Sequence, residues 1–263
     1  MTALAAATAY LVGAYSLSRL ARHPEHSRQT GLTVGAIGVL LHFALHADAW
    51  RLAGGPSLDF FSAASLVGFG MAGLTLLATR RQRLEALGVV VFPLAALTLA
   101  GYVLWGPVSA RPPSLGWGIE LHAFLALLAY ATLGVAAVLA LMLWAQERAL
   151  RRRQLTTVVR VLPPLTQLEF LLFRTVWAGF VLLTIALITG FAFVEDLMAQ
   201  HLAHKTVLSI LAWLVFGGLL WGRWRFGWRG RPAVGLTLVA MALLALAFFG
   251  SKFVLELILH RGV

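Results

Sequence analysis

Eight histidines in a chain of 263 residues without a cysteine are the side chains best equipped for chemistry. Neutral imidazole serves as an axial ligand to haem iron and also binds zinc or copper. The lack of cysteine removes disulfides, thiolate metal sites, CxxC redox chemistry and covalent c-type haem attachment to this chain. His42 and His46 are one helical turn apart and can point the same way, but they lack the Glu of an HExxH protease motif. Asp48, Asp59, Glu120, Glu195 and Asp196 fall near one membrane face with nothing to tie a pair of them to a hydrolytic geometry. No GxSxG appears, so a Ser/His/Asp triad has no support. Haem fits this residue set better than hydrolysis, because it asks for two imidazoles, an apolar aromatic slot and a few cations for its propionates.

The elements that must hold these groups are membrane helices. The chain is 60% hydrophobic and 12% charged. Several of its apolar runs are long enough to cross a hydrocarbon core of about 30 Å. The sequence predicts an all-α integral membrane protein, a bundle of eight transmembrane helices over residues 3–20, 31–47, 59–79, 85–105, 118–146, 174–194, 205–222 and 233–259, forming a single domain through residues 1–263. Nothing reads as the short alternating strands of an outer-membrane barrel. The formal charge of +11 does not point to nucleic acid, since the arginines sit in short loops between spans.

Those arginines set the sidedness. Of 21 Lys and Arg, 16 follow the odd-numbered spans, in the groups Arg19 to Arg28, Arg80 to Arg83, Arg148 to Arg174 and Arg223 to Arg231. Only Arg51, Arg111, Lys205, Lys252 and Arg261 lie on the other face. The positive-inside rule places the larger group in the cytoplasm and both termini on the outer, periplasmic side of a bacterial inner membrane. Arg19 and Arg22 lie behind the first apolar run, the reverse of a secretory signal, so that span is expected to be retained. The stretch LTQLEFLLF after Pro163-Pro164 is expected to lie along the inner interface.

With sides assigned, six of the eight histidines, His42, His46, His122, His201, His204 and His260, gather at or near the outer face. Arg51, Arg111, Lys205, Lys252 and Arg261 are the cations available there for propionates. His23 and His26 belong to a cytoplasmic loop among Pro24, Glu25 and Arg28, where solvated polar residues are the rule. The GxGxxG of Gly68, Gly70 and Gly73 lies inside an apolar span with no preceding strand, so helix packing is its reading, as it is for the pairs Gly31/Gly35 and Gly218/Gly222.

A family resemblance rests on three segments. Trp117 to Trp144 begins WGIELHAFLALLAYATLG, a histidine followed by a small-residue helix with Ala-Tyr-Ala. His204 to His260 carries a Trp-Arg-Gly turn, a Phe-Phe-Gly step and a terminal histidine, and LPPLTQLEFLLFRTVWAGF precedes it. Together they resemble the cytochrome c assembly proteins, the CcsA, CcmC and HemX group, and most of all its short eight-helix YpjD/HemX-type branch. By matching position, the resemblance implies that His122 and His260 are the external histidines that ligate haem in the haem-handling members. It implies haem, which without cysteine is expected to be b-type and non-covalent, and His42, His46, His201 and His204 stand as alternative ligands on this chain's own residues.

Two departures shape the expected role. The tryptophan-rich external signature is replaced by FVEDLMAQHLAHK, which keeps Lys205, and Trp221 stands where an inner intramembrane histidine belongs. Without that inner ligand a conduit across the bilayer lacks its first station. The expected activity is therefore haem binding or relay at the outer face, not export and not enzymatic bond making. The expected partners are the lipid bilayer and other membrane proteins of cytochrome or haem metabolism. The alternative is a membrane scaffold or regulator of the same family that no longer handles haem, with solute transport as a third reading.

Overall fold

The computed structural model describes residues 1–20, 27–81, 84–106, 116–153, 162–193 and 200–250. These residues are helical almost throughout: α1 (Thr2–Arg19), α2 (Arg28–Ala53), α3 (Phe60–Arg81), α4 (Glu85–Trp105), α5 (Trp117–Arg151), α6 (Leu165–Phe193), α7 (Gln200–Phe226) and α8 (Arg231–Ala245), which runs on into a π-helical turn, Leu246–Gly250. Among the described residues there is no strand. Among the described residues, seven helices are long and apolar enough to cross a membrane. The remaining one, α1, has 18 residues, about 27 Å of helix, and its composition is rich in alanine. The chain is thus an all-α, multi-pass membrane protein.

Two compact units are present: α1 to α4 with residues 145–167, and the body of α5 with α6 from residue 168 onward, α7 and α8. In the first unit α1 packs against α2 and α4. Gly13, Gly31 and Gly35 form the crossing of α1 and α2: a β-carbon at Gly13 would lie 3.1 Å from both the Gly31 carbonyl oxygen and the Gly35 nitrogen. Backbones approach this closely only where side chains are absent, which is how small-xxx-small stripes work in lipid. The α1 residues facing this crossing, Ala6, Tyr10, Gly13, Ala14 and Leu17, recur at helical spacing and are buried.

Helix limits follow local chemistry. α2 extends six residues beyond its expected end because Asp48 to Ala53 contains no breaker; Gly54 then stops it in the left-handed conformation (φ 81°), its N–H bonded to Trp50 O. Asp59 caps α3, with Oδ1 accepting from the N–H groups of Phe61 and Ser62 at 3.0 Å each. Its other oxygen accepts from the Ser57 and Ser62 hydroxyls. Arg28, at the start of α2, pairs with Glu85 at the start of α4 (2.5 Å) and donates to the Thr79 carbonyl of α3.

One expected element is corrected. LTQLEFLLF, expected along the inner interface ahead of a sixth span starting at residue 174, forms the first turns of α6, which runs unbroken from Leu165 to Phe193. Pro163 and Pro164 precede the helix, Gln167 N–H bonds to Pro164 O, and nothing between residues 165 and 193 interrupts the ladder. Arg174, expected in the loop, therefore lies within α6, where it is exposed. Glu169, on the same first turns, is buried and accepts from Arg229 Nε (2.9 Å) and from the Gly230 N–H (3.0 Å), fastening α6 to the turn between α7 and α8.

Candidate functional site

His122 stands one turn into α5, and its surroundings come from the last turns of α6. Its Nδ1 lies 2.8 Å from the Ala186 carbonyl and 3.4 Å from Thr189 Oγ1. A carbonyl can only accept, so Nδ1 carries the proton and donates it. Nε2 of the neutral ring is then left with its lone pair. This is the arrangement metal-binding histidines adopt, one nitrogen held by a backbone carbonyl and the other presented to the metal.

Glycine makes the approach possible. A β-carbon at Gly190 would lie 2.9 Å from His122 Cε1, and one at Gly118 would run 2.5 Å from the Phe193 ring. Gly118 and His122 are one turn apart on α5, as Ala186 and Gly190 are on α6, so two facing stripes mesh. Trp117, 73% exposed, closes the end of this seam by meeting Phe193 edge to face at 5.0 Å. His122 itself is half-buried. The site thus offers an imidazole of fixed tautomer beside an aromatic rim.

The other expected ligands fare differently. Arg111, Lys252 and His260 lie outside the described residues, and so do the side chain of His201 and the residue Arg261. His204 is exposed at the start of α7, and Lys205 beside it is half-buried. Among the described residues no group of three or more His, Asp or Glu gathers in a metal-binding cluster.

His42 and His46 do come together, deep in the first unit. Their rings stack at 5.3 Å between centroids and are 0% and 2% exposed. Ser65 Oγ of α3 lies 2.8 Å from His42 Nε2 and 3.0 Å from His46 Nε2. The Tyr10 hydroxyl of α1 lies 3.2 Å from His42 Nδ1. Tyr102 of α4 tilts against the His46 ring at 4.6 Å, while Phe69 meets His42 edge to face at 5.5 Å. Both Nε2 atoms are therefore engaged with one hydroxyl, so neither ring presents a free Nε2 as His122 does. Tyr10 and Ser65 had not been singled out from sequence. The signal was there for Tyr10, which shares the i, i+3, i+4 stripe with Ala6, Gly13, Ala14 and Leu17; Ser65 shows only as a hydroxyl within an apolar run.

The fold and these sites define a polytopic helical membrane protein with histidines placed within its two units. Residues 36–259 match the family described as Cytochrome C assembly protein. The inner membrane protein YpjD of Escherichia coli K12 is 32% identical over 228 residues, 86% of each chain. An uncharacterised 28.8 kDa protein of Azospirillum brasilense is 40% identical over 146 residues, 55% of this chain and 54% of its own. A cytochrome c biogenesis protein CcsA of Synechococcus is 27% identical over 86 residues, covering 32% of this chain and 28% of that relative. No solved structure matches the chain. The chain belongs to the cytochrome c assembly protein family and is a multi-pass protein of the bacterial inner membrane.

Proposed function

We propose that the protein binds a non-covalent, b-type haem at the outer end of its second unit and presents it there, with His122 and His260 as axial ligands, making and breaking no bonds itself. The observation that carries this reading is the 2.8 Å bond from His122 Nδ1–H to the Ala186 carbonyl, which leaves Nε2 free to meet iron. Haem, when bound, would supply a redox-active iron whose state the two imidazoles tune. The protein's part is to hold that tautomer, keep the ring beside Gly190, and offer Trp117 and Phe193 as an aromatic rim. Lys205, Arg111 and Lys252 are the cations for the propionates.

Family membership supports haem as the ligand class, and the relatives named as cytochrome c biogenesis proteins support a place in cytochrome maturation. The family match runs through both units, which favours one transmembrane domain over residues 1–263. Other membrane proteins of cytochrome or haem metabolism are the partners this role requires.

The test is an absorption spectrum of the full-length, detergent-purified protein made with ample haem, beside His122→Ala and His260→Ala. A sharp Soret band with low-spin visible features, lost or shifted in both variants, is the expected result. A colourless wild type that also takes up no added haemin would overturn it in favour of a scaffold or regulator.

A further inference from the structure

Four buried side chains of the first unit, Tyr10, His42, Ser65 and His46, form one hydrogen-bonded chain across helices α1, α2 and α3. The Ser65 hydroxyl sits between two Nε2 atoms but has a single proton to give. With both imidazoles neutral, Ser65 donates to one ring and accepts from the other, so His42 and His46 must hold opposite tautomers. Tyr10 then donates to His42 Nδ1 or accepts from it, according to which tautomer His42 has. Two proton arrangements thus satisfy one set of heavy-atom positions, and passing from one to the other takes a proton onto His46 Nδ1 and one off His42 Nδ1.

We infer that this chain is an intramembrane proton-transfer site, passing a proton between His46 and His42 through the Ser65 hydroxyl. In the arrangement where His46 carries its proton on Nε2, its Nδ1 lone pair accepts a proton from a hydronium ion, which leaves as water. The His46 Nε2–H bond then breaks as a new Ser65 O–H forms, and the former Ser65 O–H breaks as a His42 Nε2–H forms. His42 is left with protons on both nitrogens and donates its Nδ1–H to the Tyr10 oxygen. One proton has entered at His46, one positive charge rests on His42, and nothing is oxidised or reduced. The four-residue spacing moves the charge about 6 Å along α2.

The Tyr10 hydroxyl occupies the His42 end of the chain, so entry falls to the His46 end. Of the groups facing the chain, α1 contributes Tyr10 and α4 contributes Tyr102, while Phe69, Phe92 and Trp50 complete an apolar wall. Chains of ionisable side chains inside membranes mark proton relays, and the low dielectric strengthens each link. Pinning α2 to α3 would need only one imidazole on Ser65. The second ring is what makes the hydroxyl an exchange point.

The experiment uses full-length protein in lipid nanodiscs with 15N-labelled histidine, read by NMR, which separates protonated from unprotonated ring nitrogens. The expected result is that both Nε2 positions sample the protonated and unprotonated forms in the wild type. Ser65→Ala is expected to abolish this exchange, leaving each ring in one tautomer. Tyr10→Phe is expected to shift the two populations while leaving the exchange intact. Single fixed tautomers in the wild type would overturn the inference, and that spectrum decides alone should Ser65→Ala not fold. Signals from both rings moved by added haemin, as iron ligands would be, would overturn it too, in favour of a ligand pair.

Discussion

His122 donates its Nδ1–H to the Ala186 carbonyl across 2.8 Å, and this contact between α5 and α6 decides the tautomer of the ring. The same carbonyl accepts the Thr189 hydroxyl at 2.9 Å, and the absence of a side chain at Gly190 lets the imidazole lie over that turn.

Gly190→Ala places its β-carbon 2.9 Å from His122 Cε1, so the ring must shift off its carbonyl. Overpacking of this kind costs about 1–3 kcal/mol. Haemin affinity should fall by roughly 5- to 150-fold, measured by titration of the purified protein. Unchanged affinity would mean that the ring position is immaterial to binding.

Gly35→Leu should weaken the first unit. Its β-carbon would lie 2.5 Å from the Phe92 ring, at the crossing where α1, α2 and α4 meet, and thermal unfolding in detergent should register a loss of about 1–3 kcal/mol. Gly218→Ala is the contrasting case. No atom among the described residues lies within 4 Å of a β-carbon there, so its stability should change by no more than about 1 kcal/mol.

Tyr10→Phe removes the hydroxyl that meets His42 Nδ1 while keeping the ring against Phe92. A nitrogen left without its partner in a fully buried place costs about 1–3 kcal/mol. The same unfolding measurement checks it. A loss as large as that of Tyr10→Ala would show that ring packing, not the hydroxyl, carries the effect.

Glu169→Ala strips the Gly230 N–H and Arg229 of their acceptor at the base of α6. Arg229 is more than half exposed, so water recovers much of its share, and the expected loss is about 1–3 kcal/mol. Glu169→Gln keeps one acceptor oxygen and should lose less, which a paired unfolding experiment resolves.

Much of the architecture could be read directly. Apolar runs near 20 residues located the helices, whereas the cap at Gly54 was passed over and the end of α2 set six residues short of it. The small-residue stripe Gly31/Gly35 did prove to be a helix crossing, whereas Gly222 of the pair Gly218/Gly222 accommodates the Trp228 ring of its own turn. The first turns of α6 were set apart from the span because they follow the break at Pro163-Pro164; what keeps them in line with it is the absence of any breaker after Pro164 and the partner Glu169 finds in Arg229.

Composition, hydropathy and charge asymmetry are properties of the chain taken in order, and they were enough to establish a helical membrane protein and to gather six histidines toward one face, from which the family resemblance set His122 and His260 apart. Whether an imidazole keeps a free lone pair depends on what other helices place beside it. Residue 186 reaches His122 from 64 positions away, and Ser65 reaches His42 from 23. Helix periodicity relates neighbours within one helix only, so it could not show that one histidine is held by a carbonyl while two others share a hydroxyl. Packing between helices settled that difference, because a hydrogen bond forms only where donor and acceptor are brought within about 3 Å.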